Sequence, residues 1–372
     1  MYGTDYNDQI LGGEDTDYLY GEGGADKLYG GNGDDHIYGG DGDDFIYGGS
    51  TILGKGDTDR DYLYGNGGAD TIYGGAGGDI IYGGSKDNPQ SDTEINMLYG
   101  GLGEDKIFGA AGNDQLYAGW MKDDAEDTNK NYLDGGDGDD ELYGAAGVDE
   151  LVGGKGSDKL YGGKGNDILI AGNGKNDPND QELNELYGGA GSDYLYGGHG
   201  DDFLYAGYSR EDETDTDKNY LYSGDGNDFL YGSAGNDTLD GGKDKDYLYG
   251  GKGVDTYLVD NKDVIEDSDG KGSVKLEGKN LSGGEHDPEK DPANTYYNGS
   301  TKYYWTGDGQ DLIVNDGLVI NKFSNGDLGI NLEIKEEKPE EGPPTGDPGS
   351  FFRPSDPLIL DLNGDGVAST IS

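Results

Sequence analysis

A nine-residue phrase governs this chain. Between Gly3 and Leu258 it recurs in 24 copies reading roughly G-G-x-G-x-D-x-U-x, where U is Leu or Ile in every copy but the last. Clean copies are Gly30-Gly31-Asn32-Gly33-Asp34-Asp35-His36-Ile37-Tyr38 and Gly162-Gly163-Lys164-Gly165-Asn166-Asp167-Ile168-Leu169-Ile170. A short fixed period means that each unit buries its apolar side chain against copies of itself, which predicts an all-β solenoid. Positions 7 to 9 carry strand propensity, while positions 1 to 6 read as turn residues whose glycines permit positive φ. Side chains alternate across a strand, so position 8, from Ile10 and Leu19 through Leu248 to Tyr257, points inward, and positions 7 and 9 point outward. A three-residue strand buries little unless the next turn doubles back. The economical arrangement is two units per coil with unit n stacked on unit n+2, giving a rod about 58 Å long.

Composition adds what this rod lacks. The 372 residues include 76 glycines, carry a formal charge of -52 and are only 31% hydrophobic. One aliphatic side chain per unit is a small return on the entropy of ordering nine residues, so the chain without a cation is expected to be disordered. An acidic low-complexity polymer is the bland alternative, but random acidic tracts do not hold Asp in register. Cysteine is absent and only His36, His199 and His286 offer imidazole, which excludes the usual zinc, iron–sulfur and haem sites. Oxygen ligands remain. No apolar run reaches membrane-spanning length, and Met1 to Asp5 opens directly in a repeat without a signal-peptide core, as expected of a piece of something longer.

Position 6 is where the acid is kept. It is Asp8, Asp17, Asp26, Asp35, Asp44, Asp61, Asp70, Asp79, Asp105, Asp114, Asp140, Asp149, Asp158, Asp167, Asp193, Asp202, Asp228, Asp237, Asp246 and Asp255, and it is Asn96, Asn131, Asn184 and Asn219 in the other four units. Stacking turns these residues into columns of carboxylates about 5 Å apart, which repel unless cations lie between successive turns. Carboxylate and glycine carbonyl oxygens at six or seven flexible positions suit Ca²⁺ better than Mg²⁺. One ion between every n and n+2 pair allows at most 22 ions, whose charge nearly matches the acidic excess. Five units, starting at Gly48, Gly83, Ala118, Ala171 and Ala206, carry the same eight-residue insertion in their turn. All five lack the glycine at position 4, and four have Asn at position 6, so altered or missing calcium sites are expected there. These acidic loops should leave the rod alternately from its two edges as solvated decoration. Tyr dominates position 9 and should form ladders on both outer faces, read as cross-strand packing rather than as a glycan surface. His36 and His199 read as surface variation.

These residues resemble the RTX, or haemolysin-type calcium-binding, repeat proteins over about two thirds of the chain. The resemblance implies a right-handed parallel β-roll with Ca²⁺ held by turn carbonyls and the position 6 aspartates. It also implies secretion by a type I machinery, unfolded in low cytosolic calcium and folding outside the bacterial cell. The ending Asp255-Thr256-Tyr257 is similar to the last repeat before a cap in this family. Residues 259–334 lose the period and read as a β-rich C-terminal capping region, with strand patterns at Asp311 to Val314 and at Leu328, Ile330, Leu332 and Ile334. Residues 335–354 read as an acidic Pro/Gly linker. Residues 355–372 are similar to the start of the calcium-triggered self-processing module of iron-regulated RTX proteins, which marks Asp356-Pro357 as a self-cleavage junction. Asp361, Asn363 and Asp365 match positions 1, 3 and 5 of an EF-hand-type loop, but Ser372 stands where the bidentate Glu belongs.

The leading expectation is a calcium-binding segment of a secreted RTX protein with no turnover of its own. The alternative is the spacer of a bacterial adhesin or surface-layer protein. No G-x-S-x-G elbow and no H-E-x-x-H pair occurs, so no enzyme is expected within these residues. Nucleic acid is not an expected partner, and the parent's target is not encoded here.

Overall fold

The computed structural model describes residues 1–49, 58–122, 124–175, 181–335, 359–360 and 369–370. Two compact parts result, Met1–Ile334 and Lys335–Ser372. In the second, Ile359–Leu360 pairs antiparallel with Ser369–Thr370. Asp356, Asp361, Asn363 and Asp365 lie outside the described residues. No helix among the described residues is long and apolar enough to cross a membrane.

The first part winds as a parallel β-roll with two units per coil. Ile10 faces Leu28 and Leu28 faces Ile46 in one sheet, while Leu19 faces Ile37 and Ile37 faces Leu63 in the other. Alternate units thus fall in alternate sheets, and the lengthened units keep this register because their extra residues leave from the turns. Stacking seals the interior, and every position 8 residue from Leu19 to Tyr257 is fully buried. Many strands are longer than positions 7 to 9 suggest, although others, such as Gln115–Tyr117 and Phe203–Tyr205, stop at position 9. Tyr18–Gly23 and Tyr132–Asp137 run on through positions 1 to 3, so those residues join the ladder even though position 2 keeps the positive φ expected of it, as at Gly136. Their local propensity is overridden by ladder hydrogen bonds that each coil receives from the next. The bend is shared between position 2, where Gly40 and Gly136 have φ +120 and +109, and positions 4 to 6. At position 4, Gly42 has φ +126, and a Cβ there would lie 2.1 Å from the carbonyl oxygen of Gly24 in the neighbouring coil.

Outside the core, tyrosines stack. Eleven position 9 rings from Tyr29 to Tyr249 form one unbroken ladder, with the steps Tyr29 to Tyr47 at 4.9 Å and Tyr187 to Tyr205 at 4.6 Å between centroids. Because each ring covers its neighbour's face, the ladder packs the sheet and presents only ring edges and hydroxyls outward. Its counterpart on the other sheet runs from Tyr2 to Phe108, then gives way at Asp134, Val152 and Ile170. His36 is part of a further stack between Tyr18 and Tyr62.

The roll continues past the last recognisable repeat. Val264–Asp267 stacks on the preceding coil with Ile265 opposite Leu248, and Gly272–Leu276 follows with Val274 opposite Tyr257. An antiparallel meander of strands Thr295–Asn298, Thr301–Tyr304, Gln310–Val314 and Leu318–Phe323 then attaches through Val319 and Ile320 to Val264 and Ile265. This blunts one sheet edge, and the short strand Lys279–Asn280, antiparallel to Gly272–Leu276, covers the other. The apolar alternation at Leu328 to Ile334 yields a strand only over Asn331–Ile334. Gly326 and Gly329 take positive φ and turn the chain at Leu328, which is buried without being in a strand.

Candidate metal centre

Both carboxylate oxygens of position 6 have an assigned place, and the two places differ. Oδ1 accepts the backbone N–H of the position 6 residue one coil earlier: Asp8 to Asp26 at 2.7 Å, Asp44 to Asp70 at 2.8 Å, Asp237 to Asp255 at 2.9 Å. The asparagines do the same, with Asp70 N–H donating to Asn96 Oδ1 at 2.9 Å and Asp193 N–H to Asn219 Oδ1 at 2.8 Å. The sequence-predicted residues are therefore brought together in two continuous columns, one along each edge. From Asp26 to Asp255 every member is buried, while Asp8 and Asp17 at the first coil are half-exposed.

Oδ2 has a different environment. In Asp26, Asp44, Asp70, Asp140, Asp167 and Asp237 it is buried and has no hydrogen-bond partner. It lies over the bare face of the position 1 glycine of its own unit, beside the position 1 carbonyl of the next coil. A Cβ on Gly21 would lie 2.3 Å from both Asp26 Oδ2 and Gly39 O; on Gly65 the distances are 2.1 Å to Asp70 Oδ2 and 2.2 Å to Gly83 O. Two acceptor oxygens converging without a hydrogen between them call for a cation. Among the described residues no three acidic or imidazole side chains gather at one point. A cation here would be held chiefly by one carboxylate and by backbone oxygens, a donor set that suits a hard divalent ion.

Burial has a matching electrostatic signature. It pushes Asp44 up to about 7, Asp70 and Asp140 up to about 8 and Asp246 up to about 9, overcoming the lowering effect of the N–H bond at Oδ1, and neighbouring carboxylates add to the rise. Burial thus favours the protonated form of these carboxylates, and a cation would compete with those protons.

The model of the RTX calcium-binding nonapeptide repeat matches residues 2–36, 20–50, 55–88, 92–120, 128–151, 143–177, 184–207 and 222–257, more than half of the chain. The chain belongs to this RTX calcium-binding repeat family. No curated protein matches it. As an RTX calcium-binding repeat protein, it has in the position 6 Oδ2 atoms and position 1 carbonyls a donor set that fits the ion. Calcium, when bound, supplies positive charge between oxygens that otherwise face each other unscreened.

Several participants escape the nonapeptide pattern. Asp263 extends one column, accepting the Asp246 N–H at 3.1 Å, but its spacing of 17 residues rather than 18 hides it. Position 5 forms a second, outer column: Asn113 Oδ1 accepts the Asp139 N–H and Asn166 Oδ1 the Ser192 N–H, 3.0 and 2.9 Å. In the lengthened units Asp92, Asp127 and Asp215 are buried at what is otherwise a glycine position. The recurring D-T-x-x-N spelling at Asp92-Thr93-Glu94-Ile95-Asn96, Asp127-Thr128-Asn129-Lys130-Asn131 and Asp215-Thr216-Asp217-Lys218-Asn219 is the sequence signal for them.

Proposed function

We propose that this chain is a calcium-folded segment of a secreted bacterial protein, disordered in low calcium and wound into its roll where calcium is plentiful. The twenty aspartates from Asp8 to Asp255 hold the ions, those such as Asp26, Asp70 and Asp140 through an unpartnered Oδ2 assisted by position 1 carbonyls, whereas Asp8 Oδ2 and Asp149 Oδ2 already accept N–H bonds from Thr4 and Ala145. The organisation is a repeat roll over 1–258, a β-rich region over 259–334 that first continues the coils and then caps them, a linker over 335–354 and the start of a further module over 355–372. The observation that carries this reading is the convergence of Asp26 Oδ2 and Gly39 O, and of Asp70 Oδ2 and Gly83 O, on one glycine face. The charge of -52 and the family both fit a chain exported unfolded through a type I machinery and trapped outside by folding. No turnover is assigned to it. The face-to-face tyrosine stacks lend little support to a glycan-binding rod, since rings inside the ladder, such as Tyr187, have both faces covered by their neighbours.

Far-UV circular dichroism of the chain in chelator and in millimolar Ca²⁺ tests the proposal. A disordered spectrum that converts to a β spectrum on calcium addition is expected, and an unchanged spectrum would rule it out.

A further inference from the structure

The lengthened units repeat one chemical departure that bears on where ions go. In ordinary units the position 1 glycine leaves a cradle that a Cβ would fill, at 2.3 Å from Asp140 Oδ2 and 2.6 Å from Gly153 O in the case of Gly135. Three of the five lengthened units have alanine there, Ala118, Ala171 and Ala206, and all three are fully buried. Each is paired, within its own unit, with Asn131, Asn184 or Asn219 in place of Asp. A methyl group thus stands where the ion's cradle would be, and an amide stands where the anionic oxygen would be.

The amide is also provided with its own acid. Asn131 Nδ2 donates to Asp127 Oδ2 at 2.7 Å, Asn219 Nδ2 to Asp215 Oδ2 at 2.6 Å, and Asn96 Nδ2 to Asp92 Oδ2 at 3.0 Å. In the Asn96 unit position 1 remains glycine, but a Cβ on Gly83 would lie 2.8 Å from Asn96 Nδ2 and 2.7 Å from Gly109 O. A donor, not a second acceptor, faces the carbonyl. Elsewhere Ser223 occupies position 1 and donates its hydroxyl to Gly241 O at 2.8 Å. At the end of the roll the Tyr257 hydroxyl lies at the face of Gly250 and donates to Asp267 Oδ2 at 2.7 Å.

We propose that the four Asn-bearing lengthened units are calcium-free joints, in which an amide stands in place of the anionic oxygen, held by an Asn–Asp hydrogen bond at Asn96, Asn131 and Asn219 and backed by an alanine methyl at Asn131, Asn184 and Asn219. This rests on the calcium reading of the roll and refines it. The ceiling of 22 ions falls to about 18, one fewer for each asparagine. The joints alternate between the two edges, so calcium columns on either side are interrupted at different heights, and the protein itself holds the coils together at four of the five lengthened units; the fifth keeps Gly48 and Asp61, with the cradle of an ordinary unit.

The test is the calcium stoichiometry of the whole chain, counted by native mass spectrometry at saturating Ca²⁺ and checked by equilibrium dialysis. The double variants A118G/N131D and A206G/N219D should each take up one more ion than the wild type, and their combination two more. The reciprocal variant G135A/D140N in an ordinary unit should take up one fewer, which keeps the test open if a gain variant fails to fold. Calcium-loaded wild type with counts unchanged in the folded variants overturns this inference alone. A wild-type chain that takes up no calcium overturns the proposed function and this inference with it.

Discussion

The backbone N–H of Asp44 donates a 2.8 Å hydrogen bond to Asp70 Oδ1, joining adjacent coils across 26 residues of sequence. Asp70 Oδ2 is left buried without a partner. One side chain therefore does two separable jobs, sealing a backbone donor with one oxygen and facing the ion with the other. Asp70→Asn keeps the first and loses the second, whereas Asp70→Ala loses both. In saturating calcium Asp70→Ala should be less stable than Asp70→Asn by about 1–3 kcal/mol, the cost of an unsatisfied buried donor. Urea unfolding of the two variants measures the difference, and equal stabilities would remove the Oδ1 role.

Protons and calcium should compete. Asp44, Asp70 and Asp140 have folded values of about 7, 8 and 8, all above the ordinary carboxylate value. In the unfolded chain these groups titrate near pH ~4. Between those limits the folded, metal-free roll binds more protons than the unfolded chain, so its stability falls as pH rises. That stability is fully present below pH ~4 and is lost through about pH 7 to 8. In chelator, the β signal should thus be stronger at pH 5 than at pH 8. The calcium midpoint should run the opposite way, moving to higher calcium as pH falls, because protons must leave Oδ2 first. Circular dichroism across pH, with and without calcium, reads both; a metal-free β signal that grows with pH contradicts the sign.

Glycine should matter by position rather than by number. Gly42 needs φ +126, and a Cβ there would meet Gly24 O at 2.1 Å. Gly174 lies in a lengthened unit with nothing within 4 Å of such a Cβ. Gly42→Ala is expected to cost at least about 1–3 kcal/mol from backbone strain, and Gly174→Ala to stay within about 0.5 kcal/mol of the parent. Thermal unfolding in calcium separates the two.

The tyrosine ladder is a stabilising device. Tyr187 stacks on Tyr161 at 4.8 Å and on Tyr205 at 4.6 Å, and its hydroxyl donates to Glu185. Tyr187→Ala breaks both stacks and should cost about 1–3 kcal/mol in calcium. A thermal midpoint within a degree of the parent would show that the ladder carries no stability.

The period made the coil legible in the sequence. One aliphatic side chain per nine residues, flanked by outward Tyr, leaves stacking of n on n+2 as the way to bury Leu160 or Ile37, and both are fully buried. The position 6 columns follow from the same spacing. What stayed hidden depended on partners from other coils. Gly136 in the strand Tyr132–Asp137 has no strand propensity of its own and is held by its neighbours' ladder. The different fates of Oδ1 and Oδ2 are set by a backbone amide one coil away. Asp263 breaks the spacing by one residue, and the acid that serves Asn131 sits inside an insertion whose position relative to the core is not periodic.

The most direct test is a crystal structure grown in calcium, with the ions located by their anomalous scattering. Peaks are expected in the cradles of Gly21, Gly65 and Gly135, at about 2.3–2.6 Å from Oδ2 of Asp26, Asp70 and Asp140. A folded roll with no peak at any of these cradles, its Oδ2 atoms bonded only to protein or water, would contradict the account.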